Sequence, residues 1–515
     1  MLNWLSGRKV AGAAPQVKRA QRVIAALPQD NAVVAVIAIT EALEAINSAG
    51  TLTLVERYDE IQRLDSAAVA YTHTLLREYL NTSRQKKLRE GELWNSAYGC
   101  WSELETAYVR CVQRYGADVH GAVAFRLQVP VALARAVRAL RRQLQWARIR
   151  YAAPGAEVWS GLANLLLFVD TNQFDEAVLI YPGETTTIKL EFLKVLMQSA
   201  LSSENLQPPG QDLASSVVSR YAPMFMLSKT PDAAYTHWFD LKHPQAPART
   251  TRTPPPDADA RYFGAGAAVE ALQQALTHIN ETRALPAGLA LDDNADPAFV
   301  ISILEHVHRD WSGKTQARQH VRHKLNARIT VVPGFKDILR VLEFAVSDSL
   351  DFSDQPNAES WVVDDVSEGG YGAVIPAVAG DWVEVGSLVG VEGEVAHEWR
   401  VGVVRRVFRI EGNQQRVGVQ LLSRTASLVR MQREDERQAR MGTLQQGLPD
   451  LAILLGNGTV NQKEVEVLIR SGTFTSMENV QMLDGKQRFV LRPRAVIERN
   501  AACERVAFEV VTVDA

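Results

Sequence analysis

The hexapeptide Asp365-Val-Ser367-Glu-Gly-Gly370 stands between two short apolar runs and contains the residues most suited to binding chemistry. An acid and a hydroxyl that are separated by one residue in an extended segment point to the same side, because side chains alternate along a strand. Glycines beside such a pair let a ligand approach the backbone closely. The hexapeptide can therefore bind the polar edge of a ligand, although the same pattern also fits a turn capped by an Asp or Ser side chain.

Basic residues precede this hexapeptide, and two Val-rich runs follow it. The stretch from Arg318 to Arg328 leads into an apolar run at 329–332, and downstream come Trp399-Arg-Val-Gly-Val-Val-Arg-Arg406 and Arg416-Val-Gly-Val-Gln-Leu-Leu422. In this order the four segments resemble a PilZ domain, the bacterial receptor module for cyclic di-GMP, over about residues 318 to 440. The resemblance implies a six-stranded barrel followed by a helix, which binds the dinucleotide on one barrel surface without turning it over.

The resemblance assigns roles to residues of the hexapeptide. It implies that Asp365 and Ser367 contact guanine and phosphate groups and that Gly370 keeps the backbone accessible. The chemistry agrees, because a carboxylate accepts protons from the guanine edge and a guanidinium fork pairs with phosphate or guanine in a bidentate manner.

The family's other motif, R-x-x-x-R just before the first strand, can be placed in two ways. Arg318 and Arg322 have its spacing but precede the predicted strand by several residues, whereas Arg328 lies directly before that strand with Lys324 at the partner position. We expect Arg322 and Arg328 to bind the ligand, Lys324 to substitute for an arginine, and Arg318 to add a contact. Lysine lacks the planar fork of arginine, so binding at that position would be weaker.

The other motifs favour neither an enzyme nor a metal site. Phe263-Gly-Ala-Gly266-Ala-Ala follows a proline-rich loop rather than a strand and lacks the third glycine of a dinucleotide fingerprint. The histidines before the barrel, at 306, 308, 320 and 323, have no cysteine or repeated carboxylate spacing beside them, which favours surface or helix-lining positions. The sequence contains no nucleophile elbow, Walker loop or zinc-binding helix motif. We therefore predict a binding protein, not an enzyme, with no metal and no cofactor.

Composition restricts the protein class and the compartment. The chain of 515 residues holds 56 Lys and Arg against 59 Asp and Glu, so its charge of −3 gives no overall attraction for nucleic acid or an anionic membrane. The three cysteines form no C-x-x-C pair, which fits a reducing cytoplasm. No apolar run approaches the ~20 residues that cross a bilayer, and the N-terminus lacks the apolar region of a secretory signal. These features predict a cytoplasmic protein without an integral membrane segment.

The remaining pattern predicts a multidomain α+β protein with a large, mainly helical N-terminal region. We expect an α-helical domain at 1–152, a mainly helical domain at 153–315 with a proline-rich loop at 241–260, a PilZ-like barrel at 316–444, and a small β-rich domain at 445–515. Inside the third domain, a helix is expected near 336–345 and a polar, charged helix at 425–441. The fourth domain contains an Asp484-Gly485 hairpin turn.

One helical segment has an unusual charge. Between Val119 and Ala156 the chain has seven arginines, from Arg126 to Arg150, and no acid. Such a helix either grips phosphates, an anionic membrane or an acidic partner, or has its charges matched by Glu and Asp on neighbouring helices.

These observations support three functional hypotheses. The first is a cytoplasmic bacterial effector whose barrel senses cyclic di-GMP and whose helical region passes the signal to a protein partner, by ordering of residues 318–328 over the nucleotide. The second is a degenerate PilZ-like scaffold that binds no nucleotide; Lys324 and the 37 residues from Arg328 to Asp365, more than the family usually has, favour it. The third is a nucleic-acid or anionic-membrane binder that uses residues 126–150.

Overall fold

The computed structural model divides the chain into two units. The helical unit comprises Met1–Ala147, Pro154–Leu201 and Asp212–Lys314, and the barrel unit comprises Arg148–Ala153, Ser202–Gln211 and Thr315–Ala515. The structure describes residues 19–50, 52–82, 87–119, 121–181, 184–282, 284–285, 296–313, 321–346, 357–377, 382–393, 398–410, 412–423, 425–433, 450–456, 463–473, 479–485, 487–499 and 502–514.

Helices dominate the helical unit, which confirms the mainly helical N-terminal region. They are α1 (Arg19–Ala25), α2 (Ala32–Ser48), α3 (Leu54–Asn81), α4 (Lys87–Gly116), α5 (Ala122–Phe125), α6 (Val129–Ile149), α7 (Ala156–Asn172), α8 (Ile188–Ser199), α9 (Pro208–Tyr221), α10 (Ala268–Thr282) and α11 (Pro297–Trp311). A capping box of Thr53 and Glu56 starts α3, because each side chain satisfies a backbone N–H of the other residue.

Six short strands accompany these helices. A hairpin joins β1 (Val178–Tyr181) to β2 (Glu184–Thr187). A four-stranded sheet follows in the order β3-β6-β4-β5, made of β3 (Met226–Ser228), β4 (His237–Asp240), β5 (Ala248–Arg249) and β6 (Ala260–Gly264). The predicted proline-rich loop at 241–260 runs between β4 and β6, and β5 occupies only two of its residues.

The first barrel, in the barrel unit, has the six strands that the resemblance implied. Its strands are β7 (His323–Pro333), β8 (Glu359–Ser367), β9 (Gly370–Pro376), β10 (Leu388–Gly393), β11 (Trp399–Ile410) and β12 (Gln414–Leu421), closed in the antiparallel order β10-β11-β12-β9-β8-β7. Alternate residues such as Val331, Trp361 and Val363 point inward and are almost fully buried. This alternation is the physical reason for the period of two in the sequence.

The C-terminal β unit is a second closed barrel. It consists of β13 (Thr425–Arg433), β14 (Asp450–Gly456), β15 (Glu464–Arg470), β16 (Val480–Asp484), β17 (Gln487–Arg499) and β18 (Cys503–Asp514), in the order β13-β14-β15-β18-β17-β16. Asp484 and Gly485 lie at the predicted turn between β16 and β17, and Gly485 has a φ of +58°.

The helix predicted at 425–441 is wrong for its first nine residues, which form β13; residues 434–441 lie outside the described part of the chain. Val429 and Met431 face the core of the second barrel, whereas Ala426 and Leu428 face the opposite side. Apolar residues on both faces of one strand hide the period of two, so the following charges suggested a polar helix instead.

A further helix, α12 (Gly334–Val346), matches the one predicted near 336–345 and packs between the two barrels. Its apolar side chains share one core with outward residues of β7, β10 and β11 and with residues of the second barrel: Phe335, Ile338, Leu339, Val341 and Leu342 contact Val332, Leu388, Val401, Val403, Ile453, Leu455, Leu468 and Cys503. The helix therefore belongs to the barrel-to-barrel core and covers the β7-β10-β11 side of the first barrel.

Candidate functional site

The start of β7 decides which basic residues lie near the hexapeptide. The strand begins at His323, six residues earlier than the apolar run predicted, so Arg322 directly precedes it. His323 pairs with Val366 and Lys324 pairs with Asp365 on β8. The basic stretch and the hexapeptide are thus hydrogen-bonded neighbours at one end of the barrel wall.

A bulge in β8 turns the neighbouring acids Asp364 and Asp365 outward. The register with β9 shifts between Val363 and Asp365, which leaves Asp364 as the extra residue. Val363 is buried in the barrel core and Val366 packs against that core. Two acids consequently follow each other on the outer face, because a bulge places consecutive residues on one side of the strand.

Arg322 forms the central contact of the site. Its Nη1 donates to Asp365 Oδ1 at 2.6 Å, and the two side chains remain 48% and 24% exposed. Ion pairs with this exposure contribute about 0–1 kcal/mol, because water competes for both partners. The pair positions both groups and can open at little cost in free energy. Ser367, two residues further along β8, donates from its hydroxyl to the backbone oxygen of Gly370 at 3.4 Å.

Glycines provide a surface without side chains beside Asp365. Gly370 pairs with Ser367, and Gly372 pairs with Asp365 on one side and with Gly418 of β12 on the other. A Cβ at Gly372 would lie 2.6 Å from Asp365 Oδ2, so the carboxylate lies over this glycine. A Cβ at Gly370 would lie 2.0 Å from the backbone oxygen of Val419, so that glycine is required by strand packing. We call Gly370, Gly372 and Gly418 the glycine platform.

Two arginines of β11 and β12 border the platform, and we did not predict either as a site residue. Arg416 forms an ion pair with Asp364, whose carboxylate raises the pKa of Arg416 through hydrogen bonding and charge. Arg406 lies beside Gly418 and pairs through Nη2 with Glu204 Oε1 at 3.1 Å. Both belong to the Val-rich runs that suggested the barrel, but only the pairing of β9 with β12 brings them to the hexapeptide.

Arg328 lies further along the barrel wall. It pairs with Val362, five residues before Ser367 on β8, and its Nη1 donates to Ser360 Oγ at 3.4 Å. The structure therefore brings together five of the predicted residues, namely Arg322, Lys324, Asp365, Ser367 and Gly370, and places Arg328 apart from them. Arg318 lies outside the described residues.

The helix α12 covers a different side of the first barrel from the one that bears the hexapeptide. The core that α12 shares involves β7, β10 and β11, on the side of the barrel away from β8 and β9. Within the described ranges, no three His, Cys, Asp or Glu side chains come close enough to hold a metal ion. No helix in the described part of the chain has the length and apolar character needed to span a bilayer.

Comparison with known protein families gives two matches. Residues 18–232 match the model described as cyclic-di-GMP receptor FimW, N-terminal domain, and residues 345–427 match the model described as cyclic-di-GMP receptor FimW, middle PilZ domain. The two matches together span more than half of the chain, and the second contains β8, β9 and the hexapeptide. No curated protein and no solved structure matches the chain significantly.

Proposed function

Because this chain belongs to the family of the cyclic-di-GMP receptor FimW, we propose that it binds cyclic di-GMP on the glycine platform of its first barrel. The observation that carries the proposal is the contact of Arg322 with Asp365 at 2.6 Å, beside a strip of wall that has no side chains. A family of receptors has a binding role rather than a catalytic one, and binding on a barrel surface requires no chemical step.

The chemistry of the ligand fits the groups around the platform. Cyclic di-GMP carries two phosphate charges and two flat guanine faces. Asp365 accepts hydrogen bonds from the guanine N1 and N2 positions, as a carboxylate does at a base edge. Arg322 turns from Asp365 to a phosphate; Lys324 lies opposite Asp365 on β7, and Ser367 lies two residues further along β8. Opening the exposed ion pair costs about 0–1 kcal/mol, whereas a bidentate arginine contact gains about 1–3 kcal/mol.

Isothermal titration calorimetry with the full chain tests the site. We expect saturable binding by the wild type, and affinities weakened about 5–150-fold by Arg322→Gln or Asp365→Asn, corresponding to about 1–3 kcal/mol each. Arg328→Gln should weaken binding less than Arg322→Gln, because Arg328 lies opposite Val362. Arg309→Gln, on an exposed face of α11, serves as the control.

Two results would contradict the assignment. A wild type without saturable heat at tens of micromolar ligand would leave the scaffold hypothesis in its place. If both Arg322→Gln and Asp365→Asn bind cyclic di-GMP with wild-type affinity, the ligand does not bind at the glycine platform.

We further propose that the signal leaves the barrel through Arg406 and Glu204. The segment Ser202–Gln211 packs in the barrel unit, where Gln207 donates to the backbone oxygen of Val385 at 2.8 Å, and its last four residues form the first turn of α9. A phosphate on the platform competes with Glu204 for Arg406, which lies beside Gly418. Ligand binding then alters how firmly this segment is held and biases the helical region toward a protein partner.

Hydrogen exchange with and without cyclic di-GMP tests this route. We expect the ligand to change the exchange of backbone amides in residues 202–211 of the wild type, and to change it much less in Arg406→Gln. Arg328→Gln is the matched control on the same barrel wall. Unchanged exchange in a ligand-saturated wild type would refute the route while leaving the binding site intact. A pull-down with the full chain, with and without cyclic di-GMP, identifies the partner.

A further inference from the structure

The short helix α5 and the turn that follows it present two apolar side chains that are almost fully exposed. Val123 is 87% exposed and Leu127 is 85% exposed. They are four residues apart in the continuous helical stretch of Ala122–Phe125 and Arg126–Gln128, so they lie on the same face. A single exposed apolar residue is normal, but neighbouring ones that stand clear of the surface indicate an interaction site.

The opposite face of this stretch is fixed in the helical unit. Phe125 is fully buried, and its ring centre lies 5.2 Å from that of Tyr58 and 6.4 Å from that of Tyr115. Because these aromatic contacts hold Phe125 in place, the stretch cannot rotate to bury its two exposed apolar side chains. Their exposure is therefore a property of the folded unit.

A leucine of α7 extends the apolar surface. Leu167 is 39% exposed, and it lines one open groove together with Val123, Tyr115 and Phe168. Val123 thus connects Leu127 on one side with Leu167 on the other. We call Val123, Leu127 and Leu167 the apolar tip.

Positive charge accompanies the apolar tip. Residues 110–128 contain three arginines, Arg110, Arg114 and Arg126, against one acid, Asp118. Arg126 is exposed and lies within the same helical stretch as the tip, and Arg114 is in the last turn of α4, next to the groove-lining Tyr115. This part of the helical unit therefore combines exposed apolar side chains with an excess of two positive charges.

The arginine-rich segment divides at this point. Of its seven arginines only Arg126 is exposed, and the other six are half-buried. Arg135 contacts Asp65 at 2.5 Å and Arg138 contacts Glu191 at 3.1 Å. Burial alone would raise the pKa of the Glu191 carboxyl, but the nearby cations lower it to about 2. Acids on neighbouring helices thus match these charges of α6, as one interpretation of the sequence expected, whereas the start of the segment faces solvent.

We propose that the apolar tip inserts into the surface of a membrane that contains anionic lipids. Val123 and Leu127 enter the boundary between headgroups and acyl chains. Arg114 and Arg126 contact the anionic headgroups, because basic side chains beside an apolar face are attracted to them. A fluid bilayer accepts protruding side chains without a matching cavity, whereas a protein partner needs a pocket for each. So few groups give weak and reversible binding, which is independent of the proposed barrel site.

Co-sedimentation of the full chain with lipid vesicles tests this contact. The vesicles contain equal parts of phosphatidylglycerol and phosphatidylcholine, and vesicles of phosphatidylcholine alone provide the uncharged comparison. We expect the wild type to bind the anionic vesicles at millimolar lipid and the uncharged ones more weakly. The double variant Val123→Ser with Leu127→Ser should bind about tenfold more weakly or worse, because both apolar insertions are lost. Arg126→Gln should weaken binding less and reduce its dependence on salt.

The matched control is Leu88→Ser. Leu88 is 93% exposed and lies at the opposite end of α4, about 40 Å along the helix from Arg114. Its replacement should leave vesicle binding unchanged. Thermal melts establish that each variant is folded.

A fluorescent label at the tip gives a second measurement. The three native cysteines are buried, so the thiol of Leu127→Cys reacts selectively with an environment-sensitive dye. The emission of this dye should shift to shorter wavelength when anionic vesicles are added. The same dye on Leu88→Cys should not respond.

Three results would overturn the proposal. The first is a wild type that does not sediment with anionic vesicles at millimolar lipid. The second is equal binding by the wild type and the double serine variant, which would assign the vesicle contact to basic residues elsewhere. The third is a concentration-dependent dimer that the double variant abolishes, because the apolar tip would then pair with a second copy of the chain; sedimentation velocity measures this.

Discussion

Substitutions at two glycines of β9 should distinguish an effect on ligand binding from an effect on stability. Gly370 and Gly372 are two residues apart and face the same side of the barrel, but an added Cβ meets different neighbours. At Gly372 it would lie 2.6–2.8 Å from the carboxylate atoms of Asp365, which end a side chain that can rotate. At Gly370 it would lie 2.0 Å from the backbone oxygen of Val419. We therefore expect Gly372→Ala to damage binding and Gly370→Ala to damage stability.

The contacts give the size of each effect. In Gly372→Ala, displacing Asp365 loses its ion pair with Arg322, about 0–1 kcal/mol, and strains its rotamer by about 0.5–1.5 kcal/mol. Reduced freedom of the unfolded chain offsets about 0.4–1 kcal/mol, so the unfolding free energy should fall by only about 1 kcal/mol. A misplaced acceptor should weaken cyclic di-GMP binding about 5–150-fold. In Gly370→Ala, β9 and β12 must move apart, because the clash is with backbone, and we expect a cost at the upper end of the usual range of about 1–3 kcal/mol for overpacking.

Urea unfolding and calorimetry on both variants check this pair of effects. The informative measurement is the ratio of lost affinity to lost stability, which should be high for Gly372→Ala and low for Gly370→Ala. If Gly372→Ala keeps wild-type affinity, Asp365 does not contact the ligand from the position seen over this glycine. If Gly370→Ala unfolds at the same urea concentration as the wild type, the predicted contact with Val419 is relieved without cost and the strand-packing argument fails.

Three further outcomes concern stability. Tyr151→Ala should lower the unfolding free energy of the barrel unit by about 3–5 kcal/mol, because the buried ring of Tyr151 packs in the core of the first barrel. Tyr151→Phe should lower it by about 1 kcal/mol, because only the hydrogen bond from the hydroxyl to the Leu206 backbone oxygen, at 3.0 Å, is lost. Urea unfolding measures both. The lowered pKa of Glu191, about 2, should stabilise the helical unit above pH about 4.5 and lose this contribution as the pH falls toward 2, so thermal melts of Glu191→Gln should lack that slope. Burial lowers the pKa of His237 to about 4, which favours the neutral ring, so stability should decline as the pH falls from about 6.5 to 4, and His237→Gln should remove that decline.

Much of the architecture follows from local pattern. The six strands of the first barrel were predictable because alternating burial leaves a period of two, and the position of the hexapeptide between two of these strands was predictable for the same reason. The helices before residue 315 follow from their period and composition in the same way. These patterns can be recognised in one segment alone, because each depends only on which side chains of that segment face the core and which face solvent.

The contacts that define the site depend on the tertiary structure. Residues 323–328 are mostly exposed on both faces and contain only two small or isolated apolar side chains, Leu325 and Ala327, so their pattern indicates a strand only weakly. The pairing of Lys324 with Asp365 makes them a strand and places Arg322, rather than Arg328, against the acid. The same reason applies to Arg406, which reaches the platform only through the pairing of β11, β12 and β9. Hydrogen bonds between distant strands fix these positions, and sequence spacing along one strand contains no information about which residue will lie opposite.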